Sequence, residues 1–263
     1  MNLEPTGERM VLEHYKSSAE DFVIYLIHLA SYRFAEQYTR GKLVLDFGCG
    51  SGYGSDQIAR TANHVTAVDV ADEAVDYASK QFPRNNLEFR TIDPSEPLPF
   101  PDGSFEIVLS FQVFEHVVDT SQYLSEIRRV LAPGGQLILI TPDRGTRLLP
   151  FQRPWNRWHV HEYGKLEIGK LLKQFFKQVE VLGMTAKPEL IGIELRRCNR
   201  AKWLMLPFTL PVMPDSWRVA CLNFVHRIRG RRVGPPKDYP FKVEDVCIAA
   251  DAAPSVNLVA VAS

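Results

Sequence analysis

At 263 residues, with 45% hydrophobic and 24% charged residues, the chain suits one soluble α/β domain with additions, or a domain plus a small lobe. Lys+Arg and Asp+Glu both number 31, so no global charge argues for nucleic acid as a partner. Cys49, Cys198, Cys221 and Cys247 are scattered, with no CxxC and no metal-ligand spacing, and no apolar run approaches the ~20 residues that span a bilayer. With no signal peptide either, the reading is a cytoplasmic protein with reduced thiols.

Residues 1–18 are polar and read as a loop or a loosely held arm. Ala19 to Tyr38 predicts a helix, because Phe22, Leu26 and Leu29, and Ile27, Ala30 and Phe34, fall at helical intervals, and Gly41 ends it. This helix either covers a sheet or forms a lid over a ligand, with Arg9, Tyr15 and Lys16 as the arm residues nearest such a role.

The next stretch organises the chain. Leu43 to Leu45 is a short apolar run that predicts a buried strand, Asp46 and the alternating Gly48, Gly50, Gly52 and Gly54 follow, and Ser55 to Arg60 turns helical. Strand, tight glycine turn and helix make a nucleotide-type ligand site at the carboxyl end of a first strand. Glycine there supplies positive φ or lets a ligand approach bare backbone, and the helix start adds N–H donors. The dinucleotide spacing G-x-G-x-x-G fails in both frames, since its third glycine would fall on Tyr53 or Ser55. What stands is D-x-G-x-G-x-G from Asp46 to Gly52, which resembles the first motif of the class I S-adenosylmethionine-dependent methyltransferases. The ligand implied has no pyrophosphate, and a carboxylate beside the turn suits its ammonium group. An ordinary glycine-rich βα turn would share part of this pattern.

His64 to Val70 alternates into a second strand, and Asp69 at its tip is placed to accept from both ribose hydroxyls of an adenosine. Ala71 to Gln81 is the next helix, capped by Asp72 or a neighbour. Leu87 to Thr91 is a third strand. Beyond it, Asp93 either accepts from an adenine amino group or opens the Pro-rich loop Pro94 to Pro101 as a turn residue. Phe105 to Val113 is a strongly apolar fourth strand. Residues 99–117, P-F-P-D-G-S-F-E-I-V-L-S-F-Q-V-F-E-H-V, closely resemble the methyltransferase type 11 group within class I. So does Glu126 to Gly135, where Pro133 and the paired glycines stop the helix Ser121 to Leu131 and turn the chain at Ala132–Gly135 into a fifth strand, Gln136 to Thr141.

A loop rich in Arg, Pro, Trp and His spans 143–164, followed by a helix at Leu166 to Phe176 and strands at Val179 to Gly183 and Asn257 to Ala262. The resemblance, which covers about residues 40–142, implies a Rossmann-like α/β fold. Its seven-stranded, mostly parallel sheet has helices on both faces, and its last strand is antiparallel. The chain then divides into an arm and covering helix (1–40), a core that binds S-adenosylmethionine (41–185), an insertion (186–252) and the final strand (253–263). Within 186–240, 11 Lys/Arg stand against 4 Asp/Glu, interleaved with Trp203, Phe208, Trp217 and Phe224. That pattern fits a solvated basic face on a helical cap, or a surface for an anionic, membrane-bound or lipid-linked partner. No nucleic acid is expected, because no recognised binding module accompanies the basic residues.

Methyl transfer from a sulfonium is an in-line displacement that needs alignment and, for a hydroxyl acceptor, a group to take the proton. Candidate bases follow the fourth and fifth strands: His116, then His159 and His161, whose imidazoles titrate near neutrality. Each also has a structural reading, since Glu115-His116 recurs across the resembling group and His159-Val160-His161-Glu162 could orient a loop or cap a helix. For the donor, the strand-tip residues Cys49, Tyr53, Val70, Ile92, Ser110, Phe111 and Gln112 join Asp46, Gly48, Gly50, Gly52, Asp69 and Asp93. Similar ubiquinone-biosynthesis O-methyltransferases carry an E-x-x-E-H arrangement associated with a divalent metal. Here Gln112 stands where the first Glu would, and a neutral amide is a poorer ligand for a hard cation, so no tightly bound metal is expected.

Thr6-Gly7-Glu8-Arg9 and Trp158 to Tyr163 look like features of bacterial methyltransferases of glycan and surface-polysaccharide synthesis. The expected function is therefore O-methylation of a sugar or lipid-linked glycan hydroxyl, with peripheral membrane contact through the insertion. The alternative is a small-molecule O- or N-methyltransferase of secondary metabolism. A nicotinamide-dependent oxidoreductase would use the same sheet but is disfavoured by the glycine spacing, and a non-catalytic adenosyl-binding protein would keep the pocket without turnover.

Overall fold

The structure, a computed structural model, describes residues 15–229 and 237–263. Arg9, the Thr6–Arg9 features and two of the basic residues of the insertion, Arg231 and Arg232, lie outside the described residues.

The chain runs α1 (Ala19–Thr39), β1 (Leu43–Phe47), α2 (Tyr53–Ala59), β2 (His64–Asp69), α3 (Asp72–Gln81), β3 (Leu87–Thr91) and β4 (Phe105–Phe111). After β4 come α4 (Thr120–Val130), β5 (Leu131–Pro142), α5 (Arg144–Arg147), α6 (Lys165–Leu172) and β6 (Val179–Ala186). The last elements are α7 (Pro188–Met205), α8 (Asp215–Arg229), β7 (Val246–Ala249) and β8 (Asn257–Ala262). The strands form one sheet in the order β3-β2-β1-β4-β5-β8-β6-β7. Pairing is parallel from β3 through β5, and β8 runs antiparallel between β5 and β6.

Alternation along the strands builds two cores, one on each face. In β5, Leu137 and Leu139 join one cluster while Ile138 and Ile140 join the other; in β4, Val108 parts in the same way from Ile107 and Leu109. Helices α1, α2 and α7 cover the first face with Val23, Leu26, Ile58, Leu190 and Ile191. Helices α4 and α6 cover the second with Leu124, Ile127, Ile168 and Leu172. Because both faces are buried, the central strands are continuous apolar runs, and each such side chain contributes about 1.5–3 kcal/mol on burial. Ser18 starts α1 by accepting from the Asp21 backbone N–H at 3.0 Å, which satisfies one of the donors a helix start leaves open.

Four local expectations are corrected. The sheet has eight strands rather than seven, because Val246–Ala249, inside the stretch set apart as an insertion, pairs antiparallel with β6. That segment is too short to show alternation and owes its form to the open edge beside it. Helix α3 is entered from Ala71, whose side chain makes no cap, so Asp72 is the first helical residue rather than the cap. The Ala132–Gly135 turn is absorbed into β5 as an irregularity, the register stepping from Phe105↔Leu131 to Ile107↔Gln136 with Gly134 at φ 77°. β4 ends at Phe111, two residues early, because Gln112 takes a left-handed φ of 57°.

Candidate active site

β1 lies between β2 and β4, so chain direction across the sheet reverses there and a crevice opens beyond the strand ends. A cavity of about 770 Å³ fills it. The turn after β1 supplies Gly48, Cys49, Gly50 and Tyr53 to its wall. Asp69 and Val70 come from beyond β2, Ile92 and Asp93 from beyond β3, and Phe111 and Gln112 from the end of β4. Three further donor-site candidates are not on the wall. Ser110 is buried against Tyr123, oxygen to oxygen at 2.8 Å, Gly52 packs inward, and Asp46 sits behind the turn.

The glycines divide by what surrounds them. A Cβ on Gly48 would fall 2.2 Å from Val113 Cγ2, one on Gly52 would fall 2.6 Å from Ala78 Cβ, and one on Gly54 would enter the Tyr32 ring at 2.0 Å. Gly50, at φ 54°, has nothing within 4 Å of that position and faces the cavity. Asp69 fastens this turn to β2: Oδ2 accepts from the Gly50 N–H at 2.8 Å and Oδ1 from the Ala71 N–H at 3.0 Å. Asp93 Oδ1 accepts from both the N–H and the hydroxyl of Ser95, so the aspartate opens the loop as a turn residue while also bordering the cavity.

Two polar groups are unfinished. Asp46 Oδ2 accepts from Ser55 Oγ at 2.6 Å and Tyr32 Oη at 3.3 Å, while its Oδ1 is buried with no partner. Burial, with the nearby Asp69 charge acting the same way, pushes the Asp46 carboxyl up to about 6 against those two hydrogen bonds. Gln112 holds its strained backbone with an N–H bond to Ile140 O at 2.8 Å, and its buried side-chain Nε2 has no partner.

Of the candidate bases, His116 lines the cavity, at the end of a 3-10 turn, Phe114–His116. Its Nδ1 donates to Trp158 O at 3.0 Å. His159 is buried edge-on to it, with ring centroids 4.9 Å apart. The His159 Nδ1 donates to Glu162 Oε1 at 2.7 Å, and the other Glu162 oxygen takes Arg147 Nε at 3.0 Å, all within the core. Burial alone would raise the Glu162 carboxyl, but the Arg147 guanidinium and the His159 hydrogen bond hold it down at about 2. His161 is not brought to the cavity; it turns outward to Glu167 Oε1 at 2.7 Å. Glu115 completes the group: it is buried, accepts from Thr141 Oγ1 at 3.0 Å, and its pKa is raised by burial, partly offset by His159 and His116. Backbone bonds from the Val160 and His161 N–H groups to Glu115 O fix the loop carrying His159 against the end of β4.

Residues 45–139 match the profile of the methyltransferase domain family. A probable S-adenosylmethionine-dependent methyltransferase of Mycolicibacterium smegmatis is 34% identical over 66% of this chain and 65% of its own length. The chain belongs to the class I S-adenosylmethionine-dependent methyltransferases. A 2-methyl-6-phytyl-1,4-hydroquinone methyltransferase of Synechocystis is 30% identical over 80% of this chain and 65% of its own. The chain thus spans just under two thirds of the length of either curated relative. A solved methyltransferase of Thermotoga maritima, described as a possible histamine N-methyltransferase, shares the fold with a TM-score of 0.58 at 14% identity, covering 92% of this chain and 91% of that one.

The methyl donor of this class fits the methyltransferase crevice on two counts, with a third from behind it. Gly50 leaves open space where any side chain would stand, Gln112 on the wall has a buried Nε2 without a partner, and the carboxyl of Asp46 lies behind the turn with its Oδ1 unpartnered. Sequence reasoning allowed α1 a place over the ligand without naming His28, Ser31 or Tyr32, and it missed Gln122 and Tyr123 of α4, all of which line the wall. Ser31 and Tyr32 are buried, His28 and Tyr123 half-buried and Gln122 exposed, so no single pattern on these helices marked a cavity.

Proposed function

We propose that this chain transfers a methyl group from S-adenosylmethionine to the oxygen of a hydroxyl acceptor. The observation that carries the reading is that the glycine turn with Asp69 and the imidazole of His116 border one and the same cavity. Bound there, S-adenosylmethionine supplies an electrophilic methyl on a sulfonium; the chain must align the acceptor and remove its proton.

Asp69 has the role of holding the ribose hydroxyls. Each of its oxygens already takes one backbone N–H, and a carboxylate oxygen can accept a second bond. The bare backbone at Gly50 admits the ligand, and Val70, Ile92 and Asp93 border its adenine end. Asp46 acts from behind the turn, its charge favouring an ammonium group without direct contact. On the acceptor side, the proton leaves at the Glu115–His116–His159 group, with His116 nearest the substrate and His159 oriented by Glu162.

For the acceptor we propose a sugar or lipid-linked glycan hydroxyl. Trp203, Leu204, Trp217 and Phe224 are exposed on α7 and α8, with Arg200 and Lys202 nearby on α7, and suit contact with a lipid-bearing substrate. A phenolic hydroxyl is the second reading. The cavity beside His116 is walled by Phe111, Val113, Val117 and Trp158, and the Synechocystis relative is named for a hydroquinone. No helix among the described residues is long and apolar enough to cross a membrane.

Calorimetry with S-adenosylhomocysteine and with NADH tests the donor: binding of NADH alone overturns the proposal. Radiolabelled methyl transfer to a panel of nucleotide sugars, polyprenyl-linked sugars and prenylated quinols tests the acceptor. Transfer to quinols alone would select the second reading. Donor binding without turnover on any acceptor, with no cellular methylated product altered by His116→Ala, would leave a non-catalytic adenosyl-binding protein.

A further inference from the structure

We propose that Glu115, His116 and His159 together hold one divalent cation of the zinc type at the rim of the cavity. One potential ligand atom from each lies within 4.8 Å of the others. Two imidazoles and one carboxylate are the donor set of zinc sites that keep a fourth position open, and metal–ligand bonds of about 2.0–2.2 Å would draw such atoms to roughly 3.4 Å apart. The group must close by at most about 1.4 Å, within reach of side-chain rotation.

What surrounds the three residues is what a metal site requires. His116 Nδ1 donates to Trp158 O at 3.0 Å and His159 Nδ1 to the buried Glu162 at 2.7 Å, so Nε2 is the nitrogen each ring would present to an ion. A histidine ligand anchored through its other nitrogen to a carbonyl or carboxylate is the usual outer arrangement around zinc, and it fixes both tautomer and ring orientation. Glu162 is itself held by the buried Arg147, and Glu115 by Thr141, so every ligand is braced from behind. A buried carboxylate between two imidazoles would also have its charge balanced by the ion. The fourth position would face the cavity, where His116 and Trp158 form the wall.

The sequence-based expectation of no metal rested on Gln112 in place of a glutamate. It did not allow for His159, which reaches the site from the loop after β5 and brings a ligand that borderline-soft cations prefer. The site stands on this geometry alone. A role for the ion in catalysis rests on the methyltransferase reading: with the ion bound, an acceptor oxygen in the fourth position would be acidified and its proton would pass to water, because the imidazole nitrogens that take it in the metal-free site would be occupied as ligands.

The test uses untagged full-length protein stripped with a chelator, titrated with Zn²⁺ by calorimetry and with Co²⁺ by visible absorption. One equivalent should bind, with a Co²⁺ d–d band typical of imidazole and carboxylate ligation. His159→Ala and Glu115→Gln should each weaken binding at least tenfold, His116→Ala likewise, and His161→Ala should leave it unchanged. Circular dichroism of each variant separates lost ligation from lost folding. Absence of stoichiometric binding, or binding unaffected by His159→Ala and His116→Ala, overturns the proposal and leaves a hydrogen-bonded cluster. S-adenosylhomocysteine titrated into the same samples reports separately on the donor site, so failure of that reading is distinguishable from failure of this one.

Discussion

Gly50 and Gly54 stand four residues apart in one turn, and substitution should affect them in opposite ways. Gly50→Ala places a methyl in open space at a left-handed φ, a strain of about 1–2 kcal/mol. The protein should fold and lose S-adenosylhomocysteine affinity by calorimetry. Gly54→Ala drives a methyl into the Tyr32 ring, so overpacking of about 1–3 kcal/mol or more should lower the melting temperature itself. Asp46 gives a pH signature. Its folded pKa is raised to about 6, so its contribution to stability is fully present below the ordinary aspartate value and is lost as pH rises through 6. Between the ordinary aspartate value of 3.8 and about 6, at about 1.36 kcal/mol per pH unit, the loss is bounded at ~3 kcal/mol. Urea denaturation of the ligand-free protein should therefore show falling stability between pH 4 and 7, and Asp46→Asn should flatten that slope.

At the scale of elements, the segment from α5 to α6 is locked by ions rather than by apolar area. Arg147 lies on α5, Glu162 and His159 in the loop before α6, and all three are buried. Arg147→Met strands the Glu162 charge in the core and should destabilise the fold by about 3–5 kcal/mol, whereas Arg147→Met with Glu162→Leu should recover most of that loss in chemical denaturation. The Arg147 guanidinium also lies over the Trp155 ring, 4.2 Å from its centroid, which adds a packing reason for its position. None of this was visible from the sequence, where Arg147 was one of several arginines in a loop. Pairing with Glu162 depends on where the end of β5 and the start of α6 lie relative to each other. The short strand β7 escaped for a similar reason, since an edge segment of 4 residues takes its form from its neighbour rather than from its own pattern.

For the molecule as a whole, donor binding and folding should be coupled. S-adenosylhomocysteine at 100 times its dissociation constant should stabilise by about 2.7 kcal/mol, measurable as a rise in melting temperature of roughly 2–4 °C per kcal/mol, with no rise from NADH. Helix α7 is part of this body, since Leu190 and Ile191 enter the same core as α1 and Arg200 pairs with Glu20 at 3.0 Å. Its far end and α8 expose the aromatic residues. If these meet a lipid-bearing acceptor, sedimentation should show binding to anionic vesicles that weakens with salt and with Trp203→Ala plus Trp217→Ala; no binding to vesicles removes the lipid-linked part of the acceptor proposal.

Local chemistry was enough to read the donor side of this protein from its sequence. Strand periodicity, glycines that only a tight turn requires and an acidic residue at the next strand tip are short-range features; they mark a nucleotide-type site in an α/β sheet, and the resemblance those motifs carry implied the Rossmann-like fold and the S-adenosylmethionine donor. The folded chain decided that only Gly50 of the four glycines faces open space, that Ser110 and Asp46 stand behind the wall, and that His161 turns away. It alone brought His159 beside Glu115 and His116. That meeting depends on β5 lying parallel beside β4, with the loops after both strands at the same end of the sheet, a fact of strand order that no local pattern contains.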